Sequence, residues 1–238
     1  MAGHSAWKNI KHRKAAVDAK RGRIWSKLSR AIIVAARTGG GDAKFNASLR
    51  LAVLDAKAAN MPRDTIEKAI KKGAGEIDGE RFESVRYEGY GPGGVAIVVE
   101  ALTTNVNRTA PEIRAIFDKH DGKLGVPGSV SFLFSQKGVL LVGSEAVSED
   151  RLMELAIEAG AEDVVRMDEG FEVTTEPAQF GAVREALEQA GIATESAEVA
   201  FVPTSPHEVP AAAVPTVEKL VDALEEHDDV QKVHTNAA

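Results

Sequence analysis

The spacing of apolar residues changes character along this chain, and the change divides it. From about Arg13 to Arg37, Val17, Ile24, Leu28, Ala31 and Ala35 fall within an arc of about 60° at helical periodicity, predicting one long helix ended by "TGGGD". A second helix is predicted over about Asn46 to Ala59, with Leu49, Val53, Leu54 and Ala56 for the core. A third runs from about Pro62 to Lys72. Proline suits its first turn, Asp64 and Glu67 have capping-box spacing, and Gly73 is placed to stop it. Its residues Ile66, Ala69 and Ile70 face inward.

Beyond Glu76 the pattern becomes one of short strands and helices. Strands are predicted near 84–90 and 94–102, then a helix opened by "TAPE", with Thr109 and Glu112 as its capping box and Gly122 at its end. "GSVSFLF" reads as a further strand. "GVLLV", a helix near 148–159, "DVVRM", "FEVTT", a helix near 178–190 and "AEVAFVP" follow in the order β-α-β-β-α-β, that of the ferredoxin-like split βαβ unit. The proline-bearing "VPTSPHEVPAAAVP" reads as a linker, before a helix at Val217 to Glu226 and the strand "VQKVHT". That last pair is placed to complete the first β-β-α-β set. The expected fold is therefore α+β: an N-terminal three-helix domain followed by two ferredoxin-like α+β domains, one inserted into the other. The expected boundaries are 1–75, 76–135 plus 204–238, and 136–203 for the insertion.

Charge follows the same division. Residues 1–75 hold 17 Lys or Arg and 5 Asp or Glu, a net of +12; the remainder holds 12 and 31, a net of −19, and the sum is the chain's −7. Within that remainder, residues 136–203 carry 4 bases and 15 acids. So concentrated a positive excess in an acidic protein points to a polyanion partner for the first module. The acidic domains, repelled by nucleic acid, are expected to orient the protein or to meet basic proteins of the ribosome or transcription machinery. The absence of cysteine leaves no disulfide framework, thiol nucleophile or Cys-based zinc site, and fits a cytoplasmic location. No apolar run approaches the roughly 20 residues of a membrane span.

The candidate nucleic-acid contacts are Lys8, Lys11, His12, Arg13, Lys14, Lys20, Arg21, Arg23, Lys27, Arg30, Lys68, Lys71 and Lys72. Lys20, Arg23, Lys27 and Arg30 make a ridge beside the apolar stripe of the first helix, expected to face outward once the stripe packs. Helices two and three can be fitted to a helix-turn-helix. The recognition segment "DTIEKAIKK" nonetheless lacks Arg, Asn and Gln, the usual readers of base edges. Lysines act as point charges on phosphate, so backbone or shape recognition is favoured. Trp7 is a candidate to stack on an unpaired base, whereas Trp25, at the edge of the apolar stripe, is expected in the core.

"YEGYGPGGVAIVVEAL" contains a formal G-x-G-x-x-G at Gly89, Gly91 and Gly94. A dinucleotide fingerprint needs a following helix, whose N-terminus binds the pyrophosphate. Val95 to Leu102 reads as a buried strand instead, and Pro92-Gly93 fits the centre of a type II turn. The loop is expected to be a hairpin connection. Walker, G-x-S-x-G and H-E-x-x-H motifs are absent, Asp228-Asp229 sits at a helix end without an evident partner, and no catalytic, cofactor or metal site is expected.

"GHSAWKNIKHRKAAVDAKRG", "AARTGGGD", "AANMPRDTIEKAIKKG", "YEGYGPGGVA" and "GSVSFLF" together resemble the hallmarks of the YebC family, in that family's order and over nearly the whole chain. The family also includes the mitochondrial translational activator of cytochrome c oxidase. The resemblance implies a helical N-terminal domain plus two α+β domains. It also implies a role as a probable DNA-binding transcriptional regulator, with a ribosome-associated translation factor binding rRNA as the alternative. Since the resemblance begins at Gly3, a presequence is not expected. Two departures stand out. Ala6 replaces a common Lys, and "TTNVNRT" at Thr103–Thr109 replaces the usual "TDNRNRT", so that Thr104 and Val106 lose an acid and a base.

Overall fold

The structure, a computed structural model, describes residues 21–238. Three helices come first: α1 (Arg21–Gly39), α2 (Ala47–Ala58) and α3 (Arg63–Ala74). The chain continues through β1 (Glu83–Tyr90), β2 (Ala96–Thr103), α4 (Val106–Lys119), β3 (Lys123–Leu124), β4 (Phe134–Gly143), α5 (Glu149–Glu158), β5 (Ala161–Arg166) and β6 (Gly170–Thr175). Then come α6 (Phe180–Gln189), β7 (Thr194–Pro203), α7 (Val214–Glu226) and β8 (Val230–Thr235). The described residues fall into two compact units, 21–129 with Ala211–Val233, and Val130–Pro210 with His234–Ala238. The class is α+β.

The helical core is built from Ile32, Ile33 and Ala36 of α1, Leu49, Ala52 and Ala56 of α2, Met61, and Ile66 and Ala69 of α3. The buried face of α1 thus lies about 110° round the helix from the stripe expected to pack. Leu28, Ala31 and Ala35 only flank it, half-buried. The reason is visible at Gly73. A Cβ there would stand 2.4 Å from the Ile33 carbonyl oxygen and 2.6 Å from the Ala36 Cβ, so α3 crosses α1 backbone to backbone on the Ile33–Ala36 side. Gly73 therefore does not stop α3 but lies inside it. The stop is Gly75, at φ 79°, in the left-handed conformation that glycine adopts without steric cost. Nor does the capping box form: Pro62 occupies the N-cap without a side-chain bond, and Glu67 instead accepts from Arg63 Nε at 2.7 Å.

In the first sheet the strand order is β3-β1-β2-β8. β1 and β2 pair antiparallel from Glu83↔Thr103 to Tyr90↔Ala96. Their connection has Gly93 at φ 72°, ψ 7°, with Gly94 N donating to Gly91 O at 3.2 Å, the geometry of a type II turn on Pro92-Gly93. Helices α4 and α7 bury Ile113, Phe117, Val217, Leu220 and Leu224.

Two local expectations are corrected here. α4 begins three residues before Thr109, capped by Asn105, whose side chain accepts from Arg108 N. Thr109 is inside the helix and buried, so it caps nothing. "GSVSFLF" is not a strand: Gly128 has φ 87°, its N–H held by Glu88 Oε1 at 3.0 Å, and a 3₁₀ turn covers Ser131–Leu133 before β4 begins at Phe134.

The second sheet has strand order β5-β6-β4-β7, with each neighbouring pair antiparallel. This is the arrangement of a split βαβ unit. Leu152 and Ala156 of α5 and Phe180, Val183 and Leu187 of α6 supply its helical layer. Its acids are partly matched: Lys137 Nζ pairs with Glu162 at 2.8 Å and with Glu176.

Candidate nucleic-acid interface

Helix α3 buries Ile66, Ala69 and Gly73, and this leaves Lys68, Lys71 and Lys72 on the opposite side of the helix. Lys68 and Lys71 are exposed and Lys72 is half-buried. Lys71 and Lys72 also lie in the last turn, where cations complement the helix dipole. The three lysines thus lie within little more than one turn on one side of the helix. Of the remaining candidates, Trp7, Lys8, Lys11, His12, Arg13, Lys14 and Lys20 lie outside the described residues, and Arg21 opens α1.

The row Arg23, Lys27 and Arg30 is placed differently from expectation. It is not simply presented to solvent, because its members meet the end of α7 and the turn into β8. Lys27 Nζ donates to Glu225 O at 2.7 Å. Arg23 lies 3.9 Å from Glu226 and 3.8 Å from Asp228. Arg30 donates to the Asp228 carbonyl and reaches Asp229 Oδ1 at 3.1 Å, with its guanidinium 5.5 Å from the centroid of the Phe82 ring. The physical reason is the α7 C-terminus, whose last carbonyls lack helical partners and carry the negative end of the dipole. A row of cations at helical-turn spacing satisfies both. Because the core of α1 lies near the opposite side of the helix, one helix serves two packing faces.

Asp229 is the centre of this arrangement, with its side chain only 3% exposed. Oδ1 accepts from Arg30; Oδ2 accepts from Arg108 Nη2 at 2.6 Å and from Thr109 Oγ1 at 2.7 Å. Its backbone carbonyl accepts from Leu102 N at 2.8 Å. Burial by itself would raise the Asp229 carboxyl, but hydrogen bonds from Thr109, Arg108 and Thr103, with the charge of Arg108, outweigh it and hold the group below the ordinary aspartate value. Arg108 is raised, chiefly by its hydrogen bond to Asp229. Tyr87 is raised by burial and by the negative charge of Asp229. Nearby, His227 Nδ1 accepts from Asp229 N at 3.1 Å, which leaves Nε2 to donate to Glu112 at 3.0 Å.

Sequence reasoning saw Asp228-Asp229 without a partner, since Arg30, Arg108 and Thr109 lie roughly 200, 120 and 120 positions away. The only hint was the "TTNVNRT" segment, whose Thr103, Arg108 and Thr109 surround Asp229 while its departures, Thr104 and Val106, are exposed and half-buried. Trp25 packs against the helical core, half-buried, and its indole N–H donates to Ala59 O at 3.1 Å. The Gly89–Gly94 loop is followed directly by strand β2, not by a helix.

The geometry defines an α+β protein in which a basic helical module meets the α7–β8 turn of the first sheet domain through Arg23, Lys27 and Arg30, around the buried Asp229 carboxylate, and which also carries an acidic split βαβ unit. Known proteins match the chain in two stretches. Residues 5–76 match the N-terminal domain, and residues 82–237 the second and third domains, of TACO1/YebC proteins. The chain belongs to the TACO1/YebC family. A "probable transcriptional regulatory protein" of Persephonella marina is 55% identical over 99% of this chain and 95% of its own length; one of Rubrobacter xylanophilus is 54% identical with the same coverage. The crystal structure of a conserved hypothetical protein from Aquifex aeolicus is 50% identical and superposes with a TM-score of 0.86, covering 94% of this chain and 93% of that one. Among the described residues, no helix is long and apolar enough to cross a membrane.

Proposed function

We propose that this chain is a non-enzymatic, cytoplasmic, nucleic-acid-binding regulator of gene expression that acts first in transcription, a reading supported by its relatives' names. The observation that carries the reading is the net charge of +12 on residues 1–75 beside −19 on the rest. In this reading Lys68, Lys71 and Lys72 contact phosphate from one side of α3, and the cations Lys8, Lys11, Arg13, Lys14, Lys20, Arg21 and Arg23, with His12, extend the footprint. Lys27 and Arg30 have a structural task first, because Glu225 O and Asp229 already engage them. Helix α3 carries no Asn or Gln, and its one arginine, Arg63, is bonded to Glu67, which supports contact with the backbone or with nucleic-acid shape rather than with sequence. The acidic split βαβ unit is assigned to orientation, or to contact with basic proteins.

The test is a salt titration of fluorescence anisotropy on duplex DNA and on structured RNA. Wild type is compared with a Lys68→Gln, Lys71→Gln, Lys72→Gln triple variant. Each lost phosphate contact should flatten the log–log salt slope by about 0.7 to 0.9, with weaker binding to all sequences alike. An unchanged affinity and slope would remove α3 from the interface. Loss confined to one preferred sequence would mean base readout, contrary to this proposal.

A further inference from the structure

The most exposed large apolar side chain among the described residues is Phe45, at 88%, in the connection between α1 and α2. An aromatic ring left in water is normally either incidental or in waiting for a partner. What argues for the second is the construction of the segment that carries it. Asp42 O accepts from both Phe45 N, at 3.1 Å, and Asn46 N, at 3.0 Å, and Asp42 Oδ1 accepts from Lys44 N at 2.8 Å. On one side Arg50 Nη1 donates to Ala43 O and Lys44 O, at 3.0 and 3.2 Å. On the other, buried Asn46 donates to Ala35 O and Gly40 O, both at 2.8 Å, while its Oδ1 caps α2 through Leu49 N at 3.0 Å. The backbone on either side of Phe45 is thus tied to both helices, and the ring is held outward by a rigid support.

Charge identifies the occupant. Lys44 is the immediate neighbour and is exposed, and the Arg50 guanidinium is fixed against the same turn. The one acid of the turn, Asp42, is directed at a backbone N–H. A neutral ring flanked by cations, within a module of net +12, has the composition of a platform on which an unpaired base stacks while its phosphates meet the cations. In a continuous duplex the bases are already stacked on each other, so such a ring has no face to bind.

We propose that Phe45 is a stacking residue for an unpaired nucleobase, with Lys44 contacting the adjacent phosphate. This deepens the nucleic-acid reading above and rests on it. It assigns to the α1–α2 turn a preference for single-stranded or looped nucleic acid, DNA or RNA, over blunt duplex.

The test measures full-length wild type, Phe45→Ala, Phe45→Tyr and Lys44→Gln by anisotropy, on oligothymidine, oligouridine and a blunt DNA duplex. Phe45→Ala should lose about 5- to 150-fold in affinity for the single strands, the range of one base stack, with its salt slope unchanged because the ring carries no charge. Duplex affinity should stay at wild type, and Phe45→Tyr should keep single-strand binding. Lys44→Gln should flatten the single-strand slope by about 0.7. Loss on one single strand only would assign the platform to DNA or to RNA. If Phe45→Ala binds all three probes as wild type does, or weakens all three equally, stacking is refuted while the phosphate interface stands. Wild type that binds none of the probes refutes the nucleic-acid reading itself, and stacking with it. Since the ring is exposed, melting of Phe45→Ala should match wild type; concentration-dependent self-association removed by Phe45→Ala would instead assign the ring to a contact between copies.

Discussion

Replacing Asp229 with Asn changes little in shape and removes the charge on which the α7–β8 turn is organised. In the folded protein that carboxylate has one oxygen on Arg30 and the other on Arg108 and Thr109, at 2.6 to 3.1 Å. Breaking a buried ion pair by neutralising one member costs about 3–5 kcal/mol when the other is stranded away from water. Here the discount is substantial, because the Arg30 side chain is 21% exposed and that of Arg108 50% exposed, so both recover hydration. The expected loss is therefore about 2–3 kcal/mol. For a chain of this size that corresponds to a drop of roughly 4–12 °C in Tm. Asp228→Asn is the matched control: its side chain is 77% exposed and 3.8 Å from Arg23, so it should cost less than about 1 kcal/mol. Because the folded state holds the Asp229 carboxyl below its ordinary value, its contribution is complete above about pH 4, the unfolded value. It is lost as pH falls through the lower, folded value. Denaturant unfolding of both variants at neutral pH and in acid is the measurement. A stability of Asp229→Asn equal to that of Asp228→Asn, or a gap from wild type that does not narrow in acid, would refute the assignment of Asp229 as the organising charge.

The helix crossing and the α2 cap give further expectations. Gly73→Ala should destabilise by about 1–3 kcal/mol in thermal melts, overpacking at the Ile33 carbonyl outweighing the better helix propensity of alanine. Gly181→Ala, on α6 with nothing within 4 Å of the new methyl, should instead leave stability unchanged or raise it by about 0.5 kcal/mol. Asn46→Ala should cost about 2 kcal/mol, since it removes an N-cap and strands two carbonyls of the α1 terminus; Asn46→Asp should not restore it, because a carboxylate would face those same carbonyls. Lys27→Gln with Arg30→Gln should lower Tm as well as any affinity for nucleic acid, in contrast to substitutions at Lys68 and Lys71, which should leave Tm within about 1 °C.

Local pattern alone determined much of this molecule. Alternation and helical spacing placed the helices and most of the strands of both sheets within a few residues, because each element's apolar face is written in nearby residues. The type II turn on Pro92-Gly93 was equally legible, since proline fixes its own φ and glycine reaches the positive φ of the next position without steric cost. Tertiary structure decided which face of α1 is buried. With Ile24, Leu28, Ile32, Ile33 and Val34 spread round it, this helix offers more than one apolar face, and the choice fell to the close approach that Gly73 permits. It also decided the fate of the α1 cations. A charge row looks the same in sequence whether it awaits a phosphate or satisfies a helix C-terminus, and the partners of Arg30 lie about 200 residues downstream. The exposure of Phe45 belongs to the same class: nothing in "GGGDAKFNAS" tells an inward ring from an outward one until Asn46 and Arg50 fix the turn. Short-range periodicity made the elements, and long-range charge and contact chose their faces, because only folding brings those distant groups within reach of one another.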